Sequence, residues 1–460
     1  MEPNENGLSS RRQFLKTTGG VAAASALSGV AIPHVHAQGS ETVQVALVGC
    51  GGRGSGAAMN ALNTKTGPTK LVAMADAFKD RLDSSYNGLS RNAPKQVDVP
   101  EGRRFIGFDA YKQAMDSLKP GDVVILTTPP AFRWVHFQYA IEKRLNVFME
   151  KPVTVDGPGS RKMLQLADEA TARNLKVGVG LMSRHARPLQ ELHSRISNGE
   201  LGDIILMRGY RMHGPAGSFD SLPKPDNLSD LEYQIRRFHS FLWASGGCYS
   251  DFYIHIIDHL AWMKNSWPIK AQAVGGRHFR TNAEGKTFVD QNFDTYAVEY
   301  TFQDGSKFFF EGRCMTGCAG IYSSYIHGTK GIAIASRAND CGAPSAIYKG
   351  QNITPTNLVW ESTDRSNPYQ NEWEALLTAI RTDKPHNEVK RGVEASVTTS
   401  MGRMAAHTGQ EVTFLDMLNC EHEFAPGLDK LTRESPAPLM PGPDGRYPIP
   451  RPGIVTKREY

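Results

Sequence analysis

The chain has 460 residues, of which 40% are apolar and 22% charged, and its formal net charge is +5 at pH 7. This length accommodates two domains with complete hydrophobic cores, and the composition is that of a globular protein rather than a disordered or membrane protein. Because the basic residues form no stripe beyond the first segment, we expect no nucleic-acid partner.

The first segment has the order of a twin-arginine export signal. Ser10 to Lys16 read SRRQFLK, a weakly apolar stretch follows from Thr17 to Ile32, and Val35-His36-Ala37 provides small residues for cleavage. We therefore predict that residues 1–37 form a signal peptide that directs the chain to the periplasm or another extracytoplasmic space. The stretch is too short and too weakly apolar for a stable membrane span. A disordered basic tail and an uncleaved anchor are the alternatives.

Residues 38–185 alternate short β-rich runs with helical patterns, which predicts βαβ units in a parallel, doubly wound Rossmann sheet. Continuous apolar runs such as VVIL and VFM are typical of strands buried on both faces. The predicted strands are Val43–Val48, Leu71–Ala75, Arg104–Gly107, Val123–Thr127, Asn146–Met149 and Lys176–Gly180, and the clearest predicted helices are Phe132–Arg144 and Gly157–Asn174.

A glycine-rich turn follows the first predicted strand. Gly49, Gly51 and Gly54 have the spacing G-x-G-x-x-G between a strand and a helix, which is typical of dinucleotide binding. Such glycines let the backbone turn tightly and approach a pyrophosphate, whose charge meets the helix N-terminus. Gly52 and Arg53 lie in the same turn and are predicted cofactor contacts, with Arg53 a candidate ligand of phosphate.

An acidic residue, Asp76, ends the second predicted strand, 22 residues after the last glycine of the turn. A carboxylate at this position would bond the hydroxyls of the adenosine ribose and disfavour a 2′-phosphate. We therefore predict NAD as the cofactor. NADP is the less favoured alternative, because Lys79 and Arg81 lie close in sequence and a base near this position can accept a 2′-phosphate.

Lys151 follows a buried predicted strand in the sequence VFMEKPV. It stands at the carboxyl end of that strand, which is the edge where open α/β sheets bind ligands. Pro152 fixes the backbone beyond it and cannot extend the strand ladder. An ammonium there would stabilise an alkoxide while hydride leaves the carbon for nicotinamide.

Residues 186–415 have a different pattern of longer, alternating strands, which predicts an α+β domain with an open, mostly antiparallel sheet. Helical periodicity is confined to one interrupting helix, Asp251–Met263, and to Asn371–Arg381 and Gly392–His407 near the end. Residues 416–460 form a tail that is Pro-rich from Glu421 and is predicted to be extended. The predicted strands of the second domain are Ile204–Met212, Ala271–Gly275, Tyr296–Phe302, Lys307–Arg313 and Ile332–Ala335.

Three ionisable residues lie on one face of the predicted interrupting helix. Asp251, His255 and Asp258 are spaced i, i+4 and i+7 and so share one helix face. His255 would take the substrate hydroxyl proton as a general base, with a carboxylate orienting its ring. Two alternatives stay open: a satisfied polar network in the core, and a metal site formed by His255, Asp258 and His259. We predict no metal ion.

These motifs together resemble the Gfo/Idh/MocA family of oxidoreductases over roughly residues 43–407. The motifs are the glycine turn, Thr128-Pro129, Glu150-Lys151-Pro152 and the segment containing Gly246-Gly247, Asp251, His255 and Asp258. The resemblance implies an active site between the two domains, with Lys151, Asp251 and His255 acting on a sugar or cyclitol hydroxyl and Asp258 contacting the substrate. The cofactor contacts that it implies are Thr128, Pro129, His136, Glu150, Lys151 and Arg184.

One residue departs from the family pattern. The family helix usually has glycine between the acid and the histidine, whereas this chain has Tyr253 there. A phenol at this position would crowd the pocket or contact a substrate hydroxyl, so Tyr253 is a predicted substrate contact.

The sequence thus predicts an NAD(P)-dependent oxidoreductase acting on a secondary hydroxyl of a sugar, glycoside or cyclitol. An exported enzyme cannot exchange NADH with the cytoplasmic pool, so we expect its cofactor to stay tightly bound. The alternatives are an NAD-dependent glycosidase of the α-N-acetylgalactosaminidase type, an epimerase or lyase that oxidises its substrate transiently, and a non-catalytic nucleotide-binding protein. The open sheet needs burial, so we also expect a homo-oligomer, dimer or tetramer, to which the tail would reach across.

Overall fold

The protein, for which we have a computed structural model, is described over residues 41–278 and 281–460. The predicted signal peptide, residues 1–37, lies outside this range. Within it, a parallel sheet comes first, with the strand order β3-β2-β1-β4-β5-β6. Its strands are β1 Val43–Val48, β2 Thr69–Asp76, β3 Arg104–Ile106, β4 Val123–Leu126, β5 Asn146–Met149 and β6 Val177–Val179. The helices between and after them are α1 Gly52–Leu62, α2 Lys79–Asn92, α3 Ala110–Asp116, α4 Arg133–Glu142, α5 Gly157–Ala172 and α6 Arg187–Ser197.

This order confirms the predicted Rossmann sheet. Every residue of β4 (VVIL) and β5 (NVFM) is buried, as expected for strands covered by helices on both faces. The strand order reverses between β1 and β4, which pair with each other in parallel. A reversal of this kind leaves a crevice at the carboxyl ends of the strands, where nucleotides bind.

The second sheet has the order β14-β13-β12-β11-β7-β10-β9-β8-β15. Its pairings are antiparallel except that β7 and β10 run in parallel, which confirms the predicted open, mostly antiparallel sheet. Its strands are β7 Ile204–His213, β8 Lys270–Gly276, β9 Thr295–Thr301, β10 Lys307–Cys314, β11 Ile321–Gly328, β12 Gly331–Ser336, β13 Ala346–Lys349, β14 Leu358–Glu361 and β15 Val412–Thr413. The sequence did not predict β11, β13, β14 or β15.

The prediction of a single interrupting helix was incomplete. Two short helices, α7 Asp230–Arg236 and α8 Leu242–Ser245, precede the long helix α9 Gly247–Lys264. Helix α9 is buried on almost all sides, because Gly209 in β7 and Gly312 in β10 leave room for Ile256 and Tyr253. The opposite face of α9, which carries the predicted catalytic residues, is turned toward the carboxyl edge of the Rossmann sheet.

The chain then returns to the nucleotide-binding sheet. Helix α10 Pro368–Arg381 lays Trp373 on Phe148 of β5, with 4.6 Å between the ring centroids. Helix α11 Val389–Thr408 packs against α9 and strand β8. One hydrophobic layer of the Rossmann sheet is therefore completed by residues from the end of the second domain.

The segment after α12 Phe414–Asn419 has little regular structure, as its prolines predict, apart from a single turn at Leu428–Lys430 in the described chain. It packs on its own chain, where the carboxylate of Glu459 is buried against Arg403. That this tail reaches across to a partner subunit stays a prediction. In the described part of the chain, no helix has the length and apolar character needed to cross a membrane.

Candidate active site

The glycine turn after β1 forms one wall of the crevice between β1 and β4. Gly49 has φ +97°, and a Cβ on Gly54 would lie 2.1 Å from the carbonyl oxygen of Gly49, so the close approach requires glycine at both positions. Gly51 and Gly52 open helix α1 with free space around both Cα atoms. A cavity of about 590 Å³ lies over this turn and extends along Asp76 to Thr128. The cavity and its glycine cradle fit a nicotinamide dinucleotide.

Asp76 lies at the edge of this cavity, as predicted for a ribose contact. Its carboxylate accepts hydrogen bonds from the backbone N–H groups of Cys50 (2.7 Å) and Phe78 (2.9 Å), which hold it in place. Lys79 pairs instead with Asp83, at 2.5 Å on the outer face of α2. Arg81 also lines the cavity and donates to the backbone oxygen of Arg236 at 2.9 Å. The carboxylate of Asp76 favours NAD, and Arg81 leaves NADP as the less favoured alternative.

Arg53 lies in the glycine turn, but its guanidinium is directed to the end of β5. Its Nε donates to Glu150 Oε1 at 2.6 Å, and the group stacks over Tyr369 at 4.5 Å. Glu150 is buried and needs a counter-charge. Arg53 also lines the nucleotide cavity, so its contact with a phosphate stays a prediction.

Thr128, Pro129 and His136 lie together where β4 ends. Thr128 Oγ1 is 3.1 Å from His136 Nδ1, and burial lowers the pKa of His136 to about 3. All three line a small cavity of about 60 Å³ with Asp76 and Tyr111. The resemblance implied contacts with the cofactor for these residues, and the structure groups them with Asp76, the predicted ribose contact.

Lys151 and Asp251 meet across the domain boundary. Lys151 Nζ donates to the backbone oxygen of Asp251 at 2.5 Å and lies 3.5 Å from Asp251 Oδ1. Burial raises the pKa of the Asp251 carboxyl, but the opposing effects of Lys151 and His239 are larger and hold it well below its usual range. The two residues therefore form an ion pair at the carboxyl edge of the Rossmann sheet.

His239 was not predicted, because it stands alone in a loop between two short helices and no spacing pattern marks it. Its Nε2 lies 3.4 Å from Asp251 Oδ2, and its ring stacks on Phe252 with 5.4 Å between centroids. The same histidine lines the nucleotide cavity. His239 thus connects the acid of the ion pair to the cofactor side of the site.

His255 lies one helical turn beyond Asp251. It is 7% exposed, and its Nδ1 has no hydrogen-bond partner among the described residues. Burial lowers the pKa of His255 to about 3, with Asp340 acting in the opposite direction. His255 is therefore a neutral imidazole near pH 7.

Asp258 and Arg184 form a buried ion pair. Arg184 Nε lies 3.0 Å from each oxygen of Asp258, and Nη2 lies 2.7 Å from Oδ1. The predicted roles of Asp258 toward substrate and of Arg184 toward cofactor are not supported, because each side chain is occupied by the other. The pair instead links the end of the Rossmann domain to helix α9.

The alternative of a metal site on α9 is also not supported. His259 Nε2 is 2.9 Å from Ser324 Oγ, and Asp258 is occupied by Arg184. Among the residues that the structure describes, no group of three or more histidine, cysteine, aspartate or glutamate side chains is placed to hold a metal ion.

Tyr253 lies in the core rather than in the pocket. It is 0% exposed, its hydroxyl is 3.4 Å from Cys314 Sγ, and its ring packs on Phe310 with 4.9 Å between centroids. The predicted substrate contact is wrong in position, because residue 253 is two residues from Asp251 and faces the second sheet. Gly312 in that sheet provides the space that the ring fills.

We expect Tyr253→Phe to leave kcat/KM within about threefold of wild type. The reason is that the hydroxyl contacts a thiol of the core and lies away from the substrate pocket. The free energy of unfolding should fall by about 0.5–1.5 kcal/mol for the lost hydrogen bond. Steady-state kinetics and denaturant unfolding measure the two effects. A tenfold fall in kcat/KM at unchanged stability would return Tyr253 to the substrate pocket.

Three residues of the second sheet and its loops complete the site. No sequence pattern predicted them. Arg211 Nη1 donates to the backbone oxygen of Phe252 in α9 at 2.8 Å and to the Tyr322 hydroxyl at 2.7 Å. The Tyr322 hydroxyl donates to the buried carboxylate of Asp340, which faces His255. These residues come from β7, β11 and the loop after β12, so only the strand register brings them together.

Comparison with known proteins agrees with this arrangement. Residues 43–181 match the oxidoreductase family that is described as having an NAD-binding Rossmann fold. Over these residues the chain is similar to the Gfo/Idh/MocA oxidoreductases. This match confirms the predicted NAD-binding domain and lies over the glycine turn, Asp76 and Lys151. Residues 9–28 match the signal sequence of the twin-arginine translocation pathway, which confirms the predicted export signal.

Curated relatives extend the comparison. Inositol 2-dehydrogenase 1 of Paenarthrobacter aurescens is 26% identical over 170 residues, 36% of this chain and 45% of that protein. Inositol 2-dehydrogenase of Pseudarthrobacter chlorophenolicus is 27% identical over 43% of this chain and 54% of that protein. The chain thus spans about half the length of the curated relatives it matches.

Solved structures share the fold over most of the chain. The aldose-aldose oxidoreductase of Caulobacter crescentus has a TM-score of 0.61 at 14% identity, covering 81% of this chain and 100% of that chain. The scyllo-inositol dehydrogenase of Lactobacillus casei, with bound NAD(H) and scyllo-inositol, has a TM-score of 0.59 at 19% identity, covering 82% and 100%. At these sequence identities, the similarity concerns the two-domain fold alone.

Proposed function

We propose that this protein belongs to the Gfo/Idh/MocA family and is an NAD-dependent oxidoreductase that oxidises a secondary hydroxyl of a neutral sugar, glycoside or cyclitol. The observation that carries the proposal is the Lys151–Asp251 ion pair at the carboxyl edge of the Rossmann sheet, one helical turn from the neutral imidazole of His255. The inositol 2-dehydrogenases among its relatives support a substrate of this class.

The side chains divide the chemistry between them. When bound over the glycine turn, NAD supplies the hydride acceptor. His255 takes the proton of the substrate hydroxyl, because its imidazole is neutral near pH 7 and can accept one. Lys151 stabilises the negative charge that develops on the same oxygen, and Asp251 orients the ammonium through its backbone and carboxylate oxygens. The product is the corresponding ketone.

The charges around the site support a neutral substrate. In the described residues, four cations around the site are matched by carboxylates: Lys151 with Asp251, Arg211 with Asp340, Arg184 with Asp258 and Arg53 with Glu150. A phosphate or carboxylate on the substrate would have to displace one of these acids, at the cost of leaving it unpaired. A polyol can instead exchange hydroxyl hydrogen bonds with both members of the Lys151–Asp251 pair.

We further propose that the protein acts in the periplasm or another extracytoplasmic space and retains its NAD through each turnover. The twin-arginine match supports export of a folded chain, and the glycine cradle over the cavity supports firm binding. A retained cofactor must be reoxidised in place. A second carbonyl substrate would do this, and so would return of hydride to a rearranged or cleaved first substrate, as in an epimerase, lyase or glycosidase.

One experiment tests both proposals. Purified protein is denatured, and the released nucleotide is identified and quantified by absorbance. Native protein is then mixed with inositols, aldoses and glycosides, and with sugar phosphates and uronates as charged controls. We expect neutral polyols alone to reduce the bound NAD, and reduction to stop at one equivalent until a carbonyl substrate is added. If no neutral polyol reduces bound or added NAD, the proposed oxidation is wrong, and a nucleotide-binding protein without this activity is favoured.

Assembly into a homo-oligomer remains our proposal for the second sheet. Its outer face exposes apolar side chains, among them Val274 of β8 (71% exposed) and Phe309 of β10 (40%), two strands that lie on either side of β9. Exposed apolar surface of this kind is typical of contacts between subunits. Light scattering at micromolar concentration measures the mass, and a monomer would contradict the proposal.

A further inference from the structure

The Pro-rich segment, residues 421–460, is joined to the body of the protein by a buried ion pair. Glu459 is 2% exposed, and Arg403 of α11 is 0% exposed. Arg403 Nη2 lies 2.9 Å from Glu459 Oε1, and Arg403 Nε lies 2.9 Å from Oε2. His407 Nδ1 is 2.6 Å from Oε2 as well. A guanidinium this deeply buried requires a counter-charge, and the segment supplies it.

The other donors of Arg403 reach the two segments that carry the predicted catalytic residues. Nη1 donates to the backbone oxygen of Gly246 at 2.9 Å and to Ser250 Oγ at 2.8 Å, in and just before the first turn of α9. Nη2 donates to the backbone oxygen of Val155 at 2.9 Å, shortly after Lys151. One side chain therefore bonds the start of the catalytic helix and the loop that follows the catalytic strand.

The local backbone is adapted to this contact. Gly246 has φ +74°, and a Cβ at that position would lie 2.6 Å from Arg403 Nη1. The guanidinium can approach the helix start only because residue 246 is glycine. Burial raises the pKa of Glu459, but Arg403 and His407 outweigh it and lower the pKa to about 2. The carboxylate is therefore ionised at neutral pH, as the pair requires.

We propose that Arg403 and Glu459 are positioning residues that set the distance between Lys151 and the Asp251–His255 face of α9. The proposal rests on the proposed function for the identity of the reacting groups. Lys151 and Asp251 lie on the two segments that Arg403 bonds, and their contact is short, 2.5 Å from Nζ to the backbone oxygen. A small relative shift of the segments changes that contact directly. The Pro-rich segment is thus part of the framework of the active site, although it contributes no group to the reacting atoms.

Glu459→Gln tests the proposal, since it keeps the size of the side chain and removes its charge. We expect kcat for the polyol to fall by about 10- to 100-fold, as misplacement of reacting groups does, with the amount of bound NAD unchanged. We also expect faster amide hydrogen exchange in residues 152–157 and 247–255. The matched control is Arg433→Ala, which breaks an ion pair between the same segment and Glu232 of α7 (2.7 Å, arginine side chain 73% exposed). The control should change neither kcat nor exchange in these two segments.

Each result of these measurements supports or overturns the positioning role of Arg403 and Glu459. If Glu459→Gln lowers only the melting temperature, and matches Arg433→Ala in kcat and in exchange of the two segments, the positioning role is overturned. If wild-type protein oxidises no polyol, the proposed function fails, while the exchange comparison still tests the positioning role. Should Glu459→Gln not fold, Glu459→Asp retains the charge on a shorter side chain. Glu459→Asp should show the same fall in kcat and the same faster amide exchange, both smaller than those expected for Glu459→Gln. If neither change occurs, the proposal is overturned.

Discussion

Lys151→Ala is expected to lower kcat by about 10²–10⁴-fold. The variant loses the ammonium group that, in the described site, contacts Asp251 of α9. Asp251 would then be buried without its nearest cation, so its pKa should rise. Binding of NAD should persist, since the glycine turn does not depend on Lys151. Single-turnover kinetics with bound NAD, together with nucleotide quantification, separate the two effects.

The matched control is Lys176→Ala. Lys176 is also a buried lysine of the Rossmann sheet, but it precedes β6 and pairs with Asp383 at 2.7 Å, at the opposite edge from the ligand crevice. We expect a loss of stability in this variant with kcat within about threefold of wild type. If Lys151→Ala also stays within that range, Lys151 has no part in the chemistry.

Gly54→Ala is expected to weaken NAD binding by at least about 100-fold and to yield protein without bound nucleotide. The new Cβ would lie 2.1 Å from the carbonyl oxygen of Gly49 and 2.5 Å from Thr127 Oγ1. Because the first neighbour is backbone, the turn must open and the pyrophosphate cradle is lost. Calorimetric titration with NAD, and analysis of nucleotide released on denaturation, measure the effect.

Gly88→Ala provides the control for the added methyl group. Gly88 also lies in a helix of the same domain, α2, but a Cβ there meets nothing within 4 Å. This change should leave NAD affinity unaltered and stabilise the fold by about 0.5–1 kcal/mol. Full retention of bound NAD in Gly54→Ala would show that the turn does not hold the pyrophosphate.

The parts of the fold that the sequence predicted are those with strong local patterns. Strand β5 begins and ends at the predicted residues, Asn146 and Met149, because its apolar run is continuous and bounded by polar residues. Strand β11 was missed, since its sequence IYSSYIHG buries serines against the core rather than alternating apolar residues. Strand β14 was missed because it is short and mostly exposed at the sheet edge.

In the candidate site, too, the residues that were predicted correctly are those with a local sequence pattern. Helical spacing predicted that Asp251 and His255 share a face, and the structure brings both toward Lys151. Spacing does not reveal which neighbours occupy a side chain, so Asp258 was assigned to substrate although Arg184 binds it. Residues such as Asp340 depend on strand register far away in sequence, and no local pattern identifies them.

The return of helix α10 has a consequence for the order of folding. Trp373 covers Phe148 of β5, so the layer on that side of the nucleotide-binding sheet is incomplete until a segment from far along the chain arrives. Contacts of such long sequence separation form slowly, because loop closure must precede the gain from burial. A ribosome-bound nascent chain that has emerged only through β6 would present this apolar surface to chaperones. Cofactor capture is therefore expected to be a late, post-translational event that takes place after both domains have been synthesised.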